Sequence, residues 1–271
     1  MEKPLLLVGC GKMGGAMLDG WINHGSISNG VYVIEPDSEL MIRFKSKDRV
    51  RAVTNLTELP LTFSPSVVIL ALKPQIMDEV LDPLVRFVDT DTVFLSIAAG
   101  KTIEYFETKL GSKSAIVRAM PNTPAAIGQG ITVYTCNSKV SSIQSEECGK
   151  LLSAIGDTIL IDDEGLLDAV TAVSGSGPAY VFLLIEAMAA AGVKAGLEPE
   201  LSMQLARATV SGSAKLARLS DERPSQLREN VTSPGGTTAA ALEILMGKKG
   251  ILPVFDRAIA AATKRSKELA S

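Results

Sequence analysis

Up to about residue 163 the chain alternates short apolar, β-branched runs with longer helical or polar stretches. The runs predict strands at Leu5–Val8, Val31–Ile34, 67–72, 93–97, 115–118, 131–135 and 158–161, with a weaker one at 51–53. Val67-Val68-Ile69-Leu70-Ala71-Leu72 is apolar without alternation, as a strand covered on both faces is. Strands that take turns with helices predict an α/β, Rossmann-type doubly wound sheet with parallel strands. From Glu164 onward the strand pattern stops. Segment 179–193 is apolar almost all round, with Glu186 as its only acidic residue, and Pro199–Leu219, 237–246 and 253–269 continue a run of helices. A helix without a polar face needs burial on every side. A bundle of roughly a hundred residues achieves that poorly alone. The expectation is a sheet domain at 1–163 and an all-α domain at 164–271, joined near Asp162-Asp163-Glu164-Gly165. The second completes its core against another subunit.

Composition narrows the chemistry. The 271 residues carry a net charge of −3, which disfavours a nucleic-acid binder built on a broad basic surface. No apolar run reads as long enough to span a bilayer. The first apolar run leads into glycines rather than a cleavage site, so it reads as a strand and not a signal peptide. Cys10, Cys136 and Cys148 form no C-x-x-C pair, which argues against a disulfide framework or zinc knuckle and fits a reducing cytoplasm. The single histidine, His24, excludes any site that needs two imidazoles. Chemistry then rests on carboxylates, amines, hydroxyls, backbone amides or a bound cofactor, and no metal site is expected.

Gly9-Cys10-Gly11-Lys12-Met13-Gly14 matches G-x-G-x-x-G between a predicted strand and a predicted helix. In such a turn the first glycine permits the bend. The second lets backbone approach a pyrophosphate, and the third lets helix pack on strand. The helix start offers free N–H groups to phosphates. The same spacing also suits a plain strand–helix turn that binds nothing. Glu35 follows the second strand, where a carboxylate accepts from the adenosine ribose hydroxyls and favours NAD over NADP. A surface carboxylate beside a helix cap at Pro36-Asp37 is the alternative. Lys73-Pro74 follows the fourth strand, either at the ligand crevice or as a solvated loop. Ser96-Ile97-Ala98-Ala99-Gly100 ends the next strand in small residues, for ligand approach or for simple packing.

Ser233-Pro234-Gly235-Gly236-Thr237-Thr238 opens an Ala-rich helix. It reads as a second anion-binding helix start fit for a small carboxylate, or as an ordinary cap. Ala172-Val173-Ser174-Gly175-Ser176-Gly177-Pro178-Ala179-Tyr180 is a further Gly/Ser break before a helix, best read as a close helix crossing.

Taken together, the 9–14 turn, Ala71-Leu72-Lys73-Pro74-Gln75, Arg118-Ala119-Met120-Pro121-Asn122-Thr123-Pro124, 172–180 and above all 227–242 resemble pyrroline-5-carboxylate reductase. The resemblance runs nearly end to end. It implies reduction of the C=N bond of L-1-pyrroline-5-carboxylate to L-proline with NADPH or NADH, the last step of proline synthesis. It implies a Rossmann domain followed by a helical domain that interdigitates in a homodimer, with dimers commonly assembling into decamers. The substrate carboxylate then sits on the turn of Ser233, Gly235, Gly236 and Thr237. Thr238 matches the threonine whose hydroxyl hydrogen-bonds the ring nitrogen, and Asn230 a residue near the nicotinamide. Asn55 matches an adenosine-side contact. Leu72, Lys73, Pro74, Ala98 and Ala99 line the cofactor channel, with Gly9, Cys10, Gly11, Lys12, Met13 and Gly14 on the phosphates. Many members hold a 2′-phosphate with Ser or Arg after the second strand. Glu35 departs from that pattern and leans towards NADH. A hydroxyacid dehydrogenase of related architecture needs a lysine on an early helix of the second domain, and 164–193 has none. A non-catalytic redox sensor needs no Ser/Gly/Thr carboxylate turn.

Overall fold

The computed structural model describes residues 3–44 and 46–270. Its strands are β1 Leu5–Val8, β2 Val31–Ile34, β3 Val50–Val53, β4 Val67–Leu70, β5 Val93–Ser96, β6 Ala115–Met120, β7 Gly130–Cys136 and β8 Gly156–Leu160. Its α-helices are α1 Lys12–Asn23, α2 Ser38–Met41, α3 Met77–Leu81, α4 Ile103–Leu110, α5 Ser142–Ser153, α6 Leu167–Val170, α7 Gly177–Lys194, α8 Pro199–Leu219, α9 Pro224–Asn230, α10 Thr237–Leu245 and α11 Ile251–Ala270.

The strands form one sheet in the order β3-β2-β1-β4-β5-β6-β7-β8. The first six run parallel. β7 is antiparallel to β6 and β8 is parallel to β7, so the expected parallel sheet ends in two reversed strands. The connection 121–129 is too short for a crossover helix, and short connections join antiparallel neighbours. The unbroken apolar strands are explained by two buried faces. Leu5, Leu7, Val67 and Ile69 pack with Met17 and Trp21 of α1 and Leu151 and Leu152 of α5. Leu6, Val8, Val68 and Leu70 pack with Met77, Leu81 and Phe106 on the other side. Trp21 is fully buried and its indole N–H donates to the Leu151 carbonyl at 2.8 Å, which satisfies its one polar atom.

The chain divides into two compact units. One holds residues up to Gly175 together with those from Ala262 onward; the other is Ser176–Ala261. Strand structure ends where the sequence pattern places it, but the contact boundary lies beyond the expected linker at 162–165. The reason is packing: Leu167 is buried against Met120 and Val133, with Ile161 and Val170 alongside. The first helical residues after the sheet therefore belong to the sheet unit.

In the second unit α7 packs on α8. Ser202 donates to the Ala189 carbonyl at 2.7 Å, and Ala189, Ser202 and Ala206 are buried. A side chain at Gly192 would collide with the Ser202 hydroxyl. Much of the rest of α7 is exposed in the single chain, with Phe182 58% and Leu183 63% exposed. The residues Glu164–Lys194 are also, by length and composition, one helical stretch apolar enough to cross a membrane. The sequence reading misses this because the Gly/Ser break interrupts the apolar run. In the structure a π-helical turn occupies Thr171–Gly175, and Ser176 is the N-cap of α7.

Candidate active site

The sheet unit places the first glycine cluster at the carboxyl ends of the parallel strands, where β1 meets β4. That is the point at which strand order reverses, and ligands of doubly wound sheets bind there. Gly9 has φ +92°, and a side chain there would lie 2.6 Å from the Ala71 carbonyl oxygen. A Cβ on Gly14 would sit 2.3 Å from the Gly9 carbonyl oxygen, so α1 packs on the turn only without one. At Gly11 an added Cβ meets nothing within 4 Å. Its backbone faces a cavity of about 960 Å³ lined also by Gly9, Glu35, Asn55, Leu72 and Lys73. A bend, an open backbone and a close helix are what a pyrophosphate site needs.

Glu35 is held by two backbone amides. Oε2 accepts the Cys10 N–H at 2.8 Å and Oε1 accepts the Asp37 N–H at 3.0 Å. The capping role weighed for this stretch falls to Asp37, whose side chain accepts the Glu39 N–H at 2.9 Å. Glu35 is left aimed at the turn. Burial first, and then the Glu35 carboxylate, push the Cys10 thiol up to about 11. The first arginine after β2, Arg43, is engaged elsewhere. Its Nη1 lies 3.0 Å from Asp19 Oδ2 and its guanidinium covers the Phe44 ring.

Asn55 caps the helical turn Leu56–Glu58 by accepting the Thr57 N–H at 3.0 Å, and its amide donates to Glu58 at 2.8 Å. Lys73 is exposed and precedes the helical turn Pro74–Ile76. Cys10, between Gly9 and Gly11, does not itself line the cavity. Lys12, Met13, Gly14, Pro74, Ala98 and Ala99 are not among the lining residues. Ala98 is buried and Ala99 exposed in the turn after β5, one strand further along the same sheet edge. The sequence reading missed Thr54, Thr57, Glu79 and Arg86, which line the cavity. No motif marks them. The only available signal is position after β3 and β4, and Arg86 sits in a helical turn, Asp82–Phe87, that has no strand-end signature.

In the second unit, Ser233-Pro234-Gly235-Gly236 forms a tight turn closed by Gly236 N–H to the Ser233 carbonyl at 3.0 Å. Gly235 has φ +68°, a conformation that suits glycine after proline in such a turn. Gly236 is the N-cap of α10 and supplies no side-chain cap, so the first amides of Thr237 and Thr238 are left open. Thr238 is half-buried and Thr237 exposed. Asn230 ends α9; its amide donates to Glu222 at 3.1 Å and accepts from Gln226 at 2.9 Å. Among the described residues no group of three His, Cys, Asp or Glu is placed to hold a metal.

Known proteins match this architecture. A family model described as pyrroline-5-carboxylate reductase dimerisation matches residues 164–269. One described as NADP oxidoreductase, coenzyme F420-dependent, matches residues 5–100. The pyrroline-5-carboxylate reductase of Pseudomonas aeruginosa is 38% identical over 271 residues, all of this chain and 98% of that protein. A solved pyrroline-5-carboxylate reductase from Coxiella burnetii superposes with TM-score 0.91 at 32% identity, covering 100% of both chains. The Plasmodium falciparum pyrroline carboxylate reductase, solved with NADP bound, superposes with TM-score 0.83 at 33% identity, again over 100% of both. Similar from end to end to known members at 38% and 32% identity, the chain belongs to the pyrroline-5-carboxylate reductase family.

Proposed function

We propose that the chain reduces L-1-pyrroline-5-carboxylate to L-proline, drawing on NADH in preference to NADPH, as a homodimer or larger self-assembly. The observation that carries the reading is the pair of built helix starts in a chain of this family. One is the 9–14 turn with its cavity and Glu35 carboxylate. The other is the uncapped start of α10. A bound reduced nicotinamide supplies the hydride. The chain's own residues bind and orient. The open amides after Gly235 receive the substrate carboxylate, which the positive end of α10 favours. Thr238, in the first turn of α10, then presents its hydroxyl to the ring nitrogen, whose charge changes as the carbon gains hydride. His24 has its Nδ1 2.8 Å from the Gly20 carbonyl oxygen, within the C-terminal part of α1. A ring that arrives protonated needs no acid from the protein, so catalysis rests on proximity and an oriented donor.

Self-assembly is supported by the exposed apolar residues of α7 and by the dimerisation model that covers them. A partner subunit also accounts for the apolar stretch Glu164–Lys194 without a membrane. The free thiols of Cys10, Cys136 and Cys148 support a reducing compartment, the cytoplasm. The test is loss of absorbance at 340 nm with pyrroline-5-carboxylate and either dinucleotide, with proline as the product. Oxidation of neither cofactor in the presence of this imine would overturn the reading.

A further inference from the structure

The sheet carries a buried arginine that no step above uses. Arg118 on β6 has a side chain 4% exposed and stands in register with Ser96 of β5 and Thr135 of β7. Its Nη1 donates to Glu164 Oε1 at 2.6 Å, while Nε and Nη2 find no partner among the described residues. A buried cation is tolerated only beside a close counter-charge, which here is Glu164. The same Glu164 oxygen accepts the Ile103 N–H at 2.9 Å. Ile103 opens α4, and its N–H is one of the donors that a helix start leaves free. Glu164 therefore ties β6 to the far end of the turn at 97–102.

That turn is fixed at two further points. The Ala98 N–H donates to Ser96 Oγ at 3.2 Å. Gly100, with φ +75°, backs onto α11, where an added Cβ would lie 2.9 Å from the Leu269 carbonyl oxygen. The end of α11 is in turn held by Ser266, whose hydroxyl donates to Asp168 Oδ1 at 2.6 Å. Asp168 lies four residues, about one helical turn, beyond Glu164. The cluster thus surrounds the one strand-end turn that presents Ala98 and Ala99.

We propose that Glu164 is a positioning residue for the nicotinamide side of the cofactor site. Through the Ile103 N–H and the buried Arg118 it holds the 97–102 turn, so that the backbone of Ala98 and Ala99 meets the nicotinamide half of the dinucleotide. The inference rests on the cofactor reading above. None of the residues lining the adenosine-side cavity belongs to this cluster. Disturbing it should therefore split the two halves of the cofactor: recognition of nicotinamide falls and recognition of adenosine stays.

The experiment is calorimetric titration of the full-length wild type, Glu164→Gln and Ser266→Ala with NADH and with ADP-ribose, which lacks the nicotinamide. Glu164→Gln keeps the shape and removes the charge. It should weaken NADH about tenfold and leave ADP-ribose within about twofold, because a small misplacement of a positioning turn carries losses of that order. Ser266→Ala leaves the ion pair intact and should give the same selectivity at about two- to fivefold. KM for NADH should rise in parallel. Unchanged NADH affinity in both variants, or equal losses for NADH and ADP-ribose, overturns the proposal. If Glu164→Gln does not fold, the Ser266→Ala titrations decide alone. A wild type that binds neither ligand overturns the cofactor reading and this inference together. One that binds both ligands but does not reduce pyrroline-5-carboxylate overturns only the activity.

Discussion

On the function proposed above, cofactor choice turns on one carboxylate. Glu35 Oε2 and Oε1 accept the Cys10 and Asp37 amides at 2.8 and 3.0 Å, which fixes the charge beside the first glycine turn. The 2′-phosphate that distinguishes NADPH would enter the same cavity. Two unit charges 4 Å apart at an effective dielectric of 20 repel by about 4 kcal/mol. Glu35 is only half-buried, and salt and side-chain movement reduce that to about 1–2 kcal/mol, close to tenfold in kcat/KM. Arg86 lines the cavity but is committed: its Nη2 lies 3.4 Å from the Leu56 carbonyl oxygen and its guanidinium 4.7 Å from the Phe87 ring centre. The wild type should therefore favour NADH about tenfold. Glu35→Gln removes the charge at constant shape and should bring the ratio near one. Glu35→Ser should do the same and also weaken NADH, since the ribose hydroxyls lose their carboxylate acceptor, at a cost of about 1 kcal/mol. Initial rates at 340 nm with both dinucleotides, repeated at several salt concentrations, measure this. Salt should raise the NADPH rate of the wild type only. An unmodified enzyme that prefers NADPH, or a Glu35→Gln enzyme with an unchanged ratio, would refute the reasoning.

Thr238→Ala should lower kcat by roughly 10- to 1,000-fold with little change in dinucleotide affinity, and Thr238→Ser should recover much of the rate. Near-normal kcat with a lowered melting point would make Thr238 a helix-end residue only. Leu184, 45% exposed in the single chain, should lie in the subunit interface, so Leu184→Glu should aggregate or fail to yield soluble protein. A stable, active monomer of the wild type in sedimentation velocity would sink that expectation. Burial raises all three thiols, Cys10 to about 11 from 9.0 and Cys148 well above 9.0. The native chain thus keeps protons that the unfolded chain releases, so melting temperature should fall as pH rises from 9 towards 11. Fast alkylation of native protein at pH 8 would contradict the raised thiols.

The strand pattern was legible because β1, β4 and β5 are buried on both faces, which leaves an unbroken apolar run in the sequence. β3 read weakly because Arg51 and Ala52 are exposed on an edge strand that needs few apolar residues. The reversal of β7 was not legible, since strand direction depends on the path of the connection and leaves no mark on the strand itself. At the first turn, Gly9 and Gly14 could be read because each has a separate steric duty, whereas Gly11 meets nothing in the chain itself. Thr54, Glu79 and Arg86 could not, because cavity-lining positions follow from where short turns place them. In the sequence Arg118 stands out only as part of a motif. A charge in the middle of a strand looks like a surface position until its partner, Glu164, 46 residues away, is brought onto it.

The same long-range pairing explains why a cut in the sequence does not make two folding pieces. The pattern changes at Glu164, yet Glu164 supplies the counter-charge for a buried residue of β6, and Leu167 fills core beneath Met120 and Val133. A fragment ending at 163 would leave the Arg118 guanidinium uncompensated, the situation that costs about 3–5 kcal/mol when one member of a buried pair is removed. Ending at 175 restores both of those contacts but still omits Ser266 and Leu269, which close the cluster from the far end of the chain. The cofactor unit is therefore discontinuous in sequence. Its last part is the end of α11, a helix that begins in the other unit. Substitutions at the end of α11 should consequently be felt at the 97–102 turn, although the sequence places them in the dimerisation half.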